Sequence, residues 1–177
     1  MREVRVVLKP VDRDNWRAMV RLNLRPGQER FVSPPAWSLC RVYVRVFGDR
    51  FEYLPMTISD GDTIVGYVTL VCDHASLDDY WIDDIMIDAI YQGRGYGRAA
   101  MKVVLEMIPK RYPRCRTIKL TCFRENGNAA ALYESLGFKA TGQTDDMFHE
   151  PIYALEVGRA ETPRKRRRKA STRISET

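Results

Sequence analysis

Gln92-Gly93-Arg94-Gly95-Tyr96-Gly97-Arg98 alternates glycine with larger side chains between a β-rich run and an amphipathic one. Glycines let a backbone turn tightly and bring its N–H groups close to an anion, and a helix start adds partial positive charge. This chemistry suits a pyrophosphate, with Arg94 and Arg98 at the rim; a glycine turn with no ligand is the plainer alternative. Two other phosphate motifs fail on spacing. A dinucleotide G-x-G-x-x-G starting at Gly93 meets Arg98 where its third glycine belongs, and no G-K-[ST] follows. Upstream, positions 73–88 carry Asp73, Asp78, Asp79, Asp83, Asp84 and Asp88 with no lysine or arginine. Such a segment attracts and orients a cation, and Tyr80 and Trp81 offer ring faces to methylene chains or an ammonium. An ordinary acidic surface loop accounts equally well for Asp73, Asp78 and Asp79. Because strand side chains alternate, Asp83 and Asp84 are expected on opposite faces, so that only one shares a given cleft.

These groups need a frame. Residues 3–8 read as a strand, followed by a helix capped by Asp12 or Asp14, carrying Trp16, Met19, Val20 and Leu24 at helical spacing and closed by Pro26-Gly27. Residues 37–46 read as a helix, although Val42, Val44 and Val46 also fit a strand. Residues 53–58 and 64–72 flank the turn Asp60-Gly61-Asp62 as a hairpin, and 80–88 is a further strand. The period then lengthens. Met101, Val104, Leu105 and Ile108 share one face of a helix over 98–108, which Pro109 is expected to end. A strand over 118–122, a helix capped by Asn126 or Asn128 and stopped by Gly137, and strands over 139–144 and 152–157 complete a mixed α/β domain, residues 1–158.

Composition limits the alternatives. The 177 residues carry a formal charge of +6. Eight of the 29 basic and two of the 23 acidic side chains fall in 159–177, so the body holds 21 of each. The tail RKRRRK lacks apolar periodicity and is expected to be disordered; it could contact nucleic acid, but no aromatics are interleaved to stack on bases. Cys40, Cys72, Cys115 and Cys122 are scattered without a C-x-x-C pair, and His74 and His149 show no ligand spacing, so no metal site is expected. Neither a signal peptide nor an 18-residue apolar run is visible, and a cytoplasmic protein with free thiols is the expectation.

Gln92, Gly95 and Gly97 match [QR]-x-x-G-x-[GA], and Asn126-Gly-Asn-Ala-Ala-Ala-Leu-Tyr133-Glu-Ser-Leu-Gly137-Phe138 matches N-x-x-A-x-x-L-Y-x-x-x-G-F. In this order the two motifs resemble the GNAT family of acetyl-CoA-dependent N-acetyltransferases, over about residues 4–157. Asp14-Asn15-Trp16, the stretch 28–32, Ser38-Leu39 and Tyr80-Trp81-Ile82-Asp83 are most similar to its bacterial spermine/spermidine acetyltransferase group. The resemblance implies a mostly antiparallel central sheet with one splayed strand pair and flanking helices, acetyl-CoA as co-substrate, a small-molecule amine acceptor, and a homodimer as in many relatives.

It also implies roles. Backbone groups of Ile85, Met86 and Ile87 would pair with the pantetheine arm, and Gln92, Gly93, Arg94, Gly95, Tyr96, Gly97 and Arg98 would hold the pyrophosphate. Asn126 would bind the cofactor arm or the adjoining loop. Tyr133 would protonate the departing thiolate, where the residues alone also fit a core tyrosine. Asp83 would accept the amine's proton, directly or through water, with Asp84, Trp81 and Tyr80 in the substrate site. A polyamine fits this arrangement. An antibiotic or protein amino group, or an acetyl-CoA-binding protein that contacts nucleic acid through its tail, are the other readings. Cys122 could serve as a covalent relay or simply fill the core.

Overall fold

A computed structural model describes residues 4–73 and 75–157; the expected basic tail and His74 lie outside these. The elements are β1 (Val7–Pro10), α1 (Trp16–Val20), α2 (Pro35–Val44), β2 (Glu52–Asp60), β3 (Thr63–Cys72), β4 (Tyr80–Ile87), α3 (Tyr96–Arg111), β5 (Thr117–Thr121), α4 (Gly127–Ser135), β6 (Lys139–Thr144) and β7 (Pro151–Glu156). The strands form one sheet in the order β1-β2-β3-β4-β5-β7-β6. Every neighbouring pair is antiparallel except β4 and β5, which α3 connects. That exception creates the site. β4 and β5 pair only at Tyr80–Ile118, Trp81–Lys119 and Ile82–Leu120, and then part. The expected mixed sheet with a splayed pair is what these residues form.

Both faces of the sheet are covered. Ala100, Met101, Val104 and Ile108 of α3, with Tyr133 of α4 and Phe138 just beyond it, bury against Ile58, Val68, Leu70, Ile82 and Leu120. On the opposite face Met19 of α1 packs on Tyr67 and Met86, and Ser38 of α2 bonds Thr69 through their hydroxyls at 3.0 Å. Gly66 makes the β3–β4 approach possible, because an added Cβ would strike the Met86 carbonyl oxygen.

Helices α1 and α3 differ from their expected bounds, and α2 lies two residues earlier than the expected 37–46. The first is short, because the chain after it is tied elsewhere: Asn23 N–H donates to Asp88 Oδ2 at 2.9 Å, and Asn23 carbonyl accepts from Ala89. Its N-cap is Asn15, while Asp12 accepts from the Asp14 and Asn15 N–H groups in the preceding turn. Pro109 does not end α3. So near the C-terminus its missing N–H removes only one helical bond, and the helix runs to Arg111 before Tyr112 N–H closes on the Ile108 carbonyl. The segment that fitted either a helix or a strand is the helix α2, introduced by Pro34 and Pro35.

Candidate active site

The splay opens a cavity of about 770 Å³ bounded by β4, the β5–α4 connection, the loop before α3, and the segment from Gln28 to Arg41. Ile85, Met86 and Ile87 line it along the β4 edge that β5 has left, where an extended amide-bearing chain can add as a further strand. At the end of this edge Gly93 and Gly95 adopt φ of 78° and 89°, in the left-handed region that glycine enters without strain. Gly95 is the N-cap of α3, and the first helical bond runs from Ala99 N–H to the Gly95 carbonyl. The N–H groups of the first turn are therefore left for a ligand anion.

Gly97 differs from Gly95. An added Cβ there meets only Leu132 at 3.6 Å and Ile87 at 3.8 Å, which are ordinary contacts. Gly97→Ala is expected to fold with little change in melting temperature, whereas Gly95→Ala, forced to positive φ, is expected to lose about 1 kcal/mol or more of stability and at least tenfold in acetyl-CoA affinity, read by thermal melts and calorimetry.

Gln92, Gly93, Gly95, Tyr96, Gly97, Arg98 and Asn126 all line the cavity. Several of their side chains are held by the protein itself. Gln92 Nε2 donates to the Ile87 carbonyl and to Gln28 Oε1, both at 2.9 Å, which latches the loop before α2 to the glycine turn. Tyr96 donates to Asp60 at 2.7 Å, Arg98 donates to Ser135 at 2.8 Å, and Asn126 Oδ1 caps α4 by accepting from Ala129 N–H. Arg94, between lining residues Gly93 and Gly95, does not itself line the cavity; its guanidinium lies 5.9 Å from the Tyr91 ring centroid.

The two aspartates overturn the expectation from alternation. Asp84 pairs with Thr69 and Ile82 with Leu70, so Asp83 is an extra residue in a β-bulge. A bulge sets two residues against one and brings both side chains toward the same side. The change of phase is visible along the strand, since Ile82 and then Ile85 pack on the α3 face while Met86 joins the opposite one. Both aspartates thus line the cavity and share one partner. Arg41 donates through Nη2 to Asp83 Oδ1 at 2.9 Å and through Nη1 to Asp84 Oδ2 at 3.4 Å.

Sequence reasoning missed Arg41, Glu150 and Phe148. Arg41 follows buried Ser38 by three residues on α2, and that helical spacing was the signal that could have found it. Glu150 and Phe148 come from the β6–β7 connection, where the Asp145 carboxylate accepts from the N–H groups of Met147, Phe148 and Glu150. Nothing in residue type marks such a turn as part of a site formed by α2 and β4. The turn brings the Phe148 ring to 5.5 Å from the Arg41 guanidinium, with Phe47 at 5.4 Å.

Burial raises the Asp83 carboxyl to about 7, helped by Asp84 and Glu150 and opposed by Arg41. Asp84 and Glu150 are also raised, first by burial. Tyr133 lines the same cavity, 6.1 Å from Phe138 between ring centroids, and among the described residues its hydroxyl has no hydrogen-bond partner. Burial pushes its phenol well above the usual range, so it keeps its proton throughout the neutral region. The Cys122 thiol is pushed up to about 11 by burial, which leaves it protonated and a poor nucleophile.

Tyr80 and Trp81 are further corrections. Neither lines the cavity. Tyr80 is fully buried against Tyr112 and donates to the Ser76 carbonyl, while Trp81 carries Lys119 5.3 Å from its ring. Aromatic side chains that do line it include Phe31, Trp37, Phe123 and Phe148. The acidic approach is likewise used up internally: Arg50 faces Asp73 and Asp79 at 3.8 and 3.6 Å, Thr117 donates to Asp78, and Asp88 accepts from Asn23 and Ile90.

The model of the Acetyltransferase (GNAT) family matches residues 16–138, which include the open strand edge, the glycine turn and α4. The chain belongs to the GNAT family. The spermine/spermidine N(1)-acetyltransferase of Bacillus subtilis (strain 168) is 35% identical over 65 residues, 37% of this GNAT chain and 42% of that protein. The match therefore spans less than half of the curated relative. Among solved structures, the spermidine N-acetyltransferase from Vibrio cholerae in complex with CoA and spermine aligns with TM-score 0.64 at 19% identity, over 88% of this chain and 96% of that one. The ribosomal-protein-S18-alanine N-acetyltransferase from Escherichia coli aligns with TM-score 0.61 at 20% identity, over 89% and 97%. At these identities the structural likeness is one of fold. Among the described residues no helix is long and apolar enough to cross a membrane, and no group of three or more His, Cys, Asp or Glu could hold a metal.

Proposed function

We propose that this chain transfers the acetyl group of acetyl-CoA to a primary amine by direct attack in a ternary complex, with a polyamine such as spermidine or spermine as acceptor. The observation that carries the reading is one continuous cavity with an open strand edge and glycine turn at one end and a carboxylate cluster at the other. The first part suits the pantetheine and pyrophosphate of acetyl-CoA; the second suits a cation.

The reacting nitrogen arrives as an ammonium, since an alkylamine titrates near 10.4 and only about one molecule in 2,500 is free at pH 7. Asp83 accepts its proton. The freed lone pair attacks the thioester carbonyl, the carbon–sulfur bond breaks, and Tyr133 gives its proton to the sulfur. The nitrogen's second proton passes to the Tyr133 phenolate as the amide forms, directly or through water, and Asp83 releases the first to solvent. No covalent acetyl-enzyme is required, in keeping with the protonated Cys122.

A steady-state panel of spermidine, spermine, an aminoglycoside and peptides with free amino termini tests the acceptor. Turnover of the polyamines is expected to exceed that of the others by at least tenfold in kcat/KM; activity confined to peptides sinks the polyamine assignment while leaving the acetyl transfer intact.

A further inference from the structure

Three carboxylates reach the acceptor end of the cavity, yet they are not equally available to a substrate. Asp84, 6% exposed, accepts from Arg41 Nη1 at 3.4 Å, and Arg41, Ser38 and the Ser33 backbone oppose the rise that burial causes in its carboxyl, so the protein uses it internally. Asp83 gives one oxygen, Oδ1, to Arg41; among the described residues no bond is made to its Oδ2. Glu150 lines the same cavity from the β6–β7 turn. Arg41 is held firmly in this position. Its guanidinium lies 5.4 Å from the Phe47 ring centroid and 5.5 Å from that of Phe148, its side chain is 16% exposed, and its Nε is buried with no hydrogen-bond partner among the described residues. Withdrawing it would leave two buried carboxylates facing each other without a cation, which burial makes costly.

We propose that Arg41 is the specificity-determining residue of the acceptor site: it takes the position on the Asp83–Asp84 pair that an additional substrate ammonium would otherwise fill. The inference rests on the polyamine reading above and adds to it a limit on charge. The reacting amine uses Asp83 Oδ2, a second ammonium is balanced by Glu150, and a further one meets the guanidinium. Selection between amines of different charge is then a difference in electrostatic complementarity, with repulsion supplied by the protein itself.

The test is the ratio of kcat/KM for spermine to that for 1,4-diaminobutane, measured with the full chain and saturating acetyl-CoA at low ionic strength. Arg41→Gln frees one carboxylate and is expected to raise this ratio by about tenfold, chiefly through KM, and raised salt is expected to shrink the change. Arg41→Lys keeps the charge and is expected to hold the ratio within about threefold of the wild type. A ratio unchanged in Arg41→Gln while both substrates weaken alike means that Arg41 only anchors α2 on β4, and overturns the inference. So does a tenfold rise in Arg41→Lys, which can be read even if the glutamine variant does not fold. Wild-type inactivity on both amines overturns the polyamine reading and this inference with it; activity with an unmoved ratio overturns the inference alone.

Discussion

Asp83→Asn is expected to lower kcat/KM for the amine by 10²- to 10³-fold and to abolish the acidic limb of its pH profile. The substitution preserves shape. An amide oxygen can still accept from Arg41 Nη2, so the 2.9 Å contact and the seat of α2 survive, and what is lost is the basicity. The sign of the pH dependence follows from the direction of the shift. Burial, with Asp84 and Glu150, lifts this carboxyl to about 7, and only its ionised form takes a proton. Wild-type kcat/KM should therefore fall about tenfold per pH unit as pH drops below about 7 and level off above it. A profile that keeps climbing with the free amine through pH 9 argues that the enzyme takes up neutral amine and that Asp83 contributes only charge. A limb near 7 that persists in the asparagine variant assigns it to another group, with raised Glu150 the first candidate.

Tyr133→Phe is expected to reduce kcat by about 10²-fold while changing acetyl-CoA affinity less than threefold. The reason lies in what the hydroxyl does not do. Since no partner is seen for it among the described residues, its removal leaves no protein donor or acceptor stranded, and stability should change by no more than about 1 kcal/mol. The ring's contact with Phe138 is retained by phenylalanine. A buried phenol held protonated is a stock of acid for a thiolate leaving from the same cavity, and the raised pKa costs little because the proton moves only as charge develops on sulfur. Single-turnover rates with calorimetric acetyl-CoA binding separate the two quantities. Turnover equal to wild type would remove the acid role from Tyr133.

The cofactor end of the site was legible because its function is local. Gly93 and Gly95 at positive φ, the helix that starts at Tyr96, and the Asn126 cap on α4 are consequences of a few consecutive residues, and their types can be read in order along the chain. The strands around them were legible for the same reason, since alternation and turn residues act over short spans. The acceptor end was not. It needs Arg41 from α2, the aspartates from β4, and Phe148 and Glu150 from the β6–β7 turn, and no sequence period links these three segments.

The sequence by itself determined the succession of strands and helices, the glycine turn and the pair of motifs that mark the family, all properties of contiguous residues under local steric and hydrogen-bonding rules. Only the tertiary structure decided where charge goes. A single bulge at Asp83 reversed the strand's phase and put both aspartates on one side, where alternation alone had separated them. The other acidic residues upstream were paired off against Arg50, Lys119 and Thr117. Burial then raised the Asp83 carboxyl to about 7, and packing gave it a cation, Arg41, from 42 residues away in the chain. Charge acts through space and through the exclusion of water, and both are set by which segments pack together.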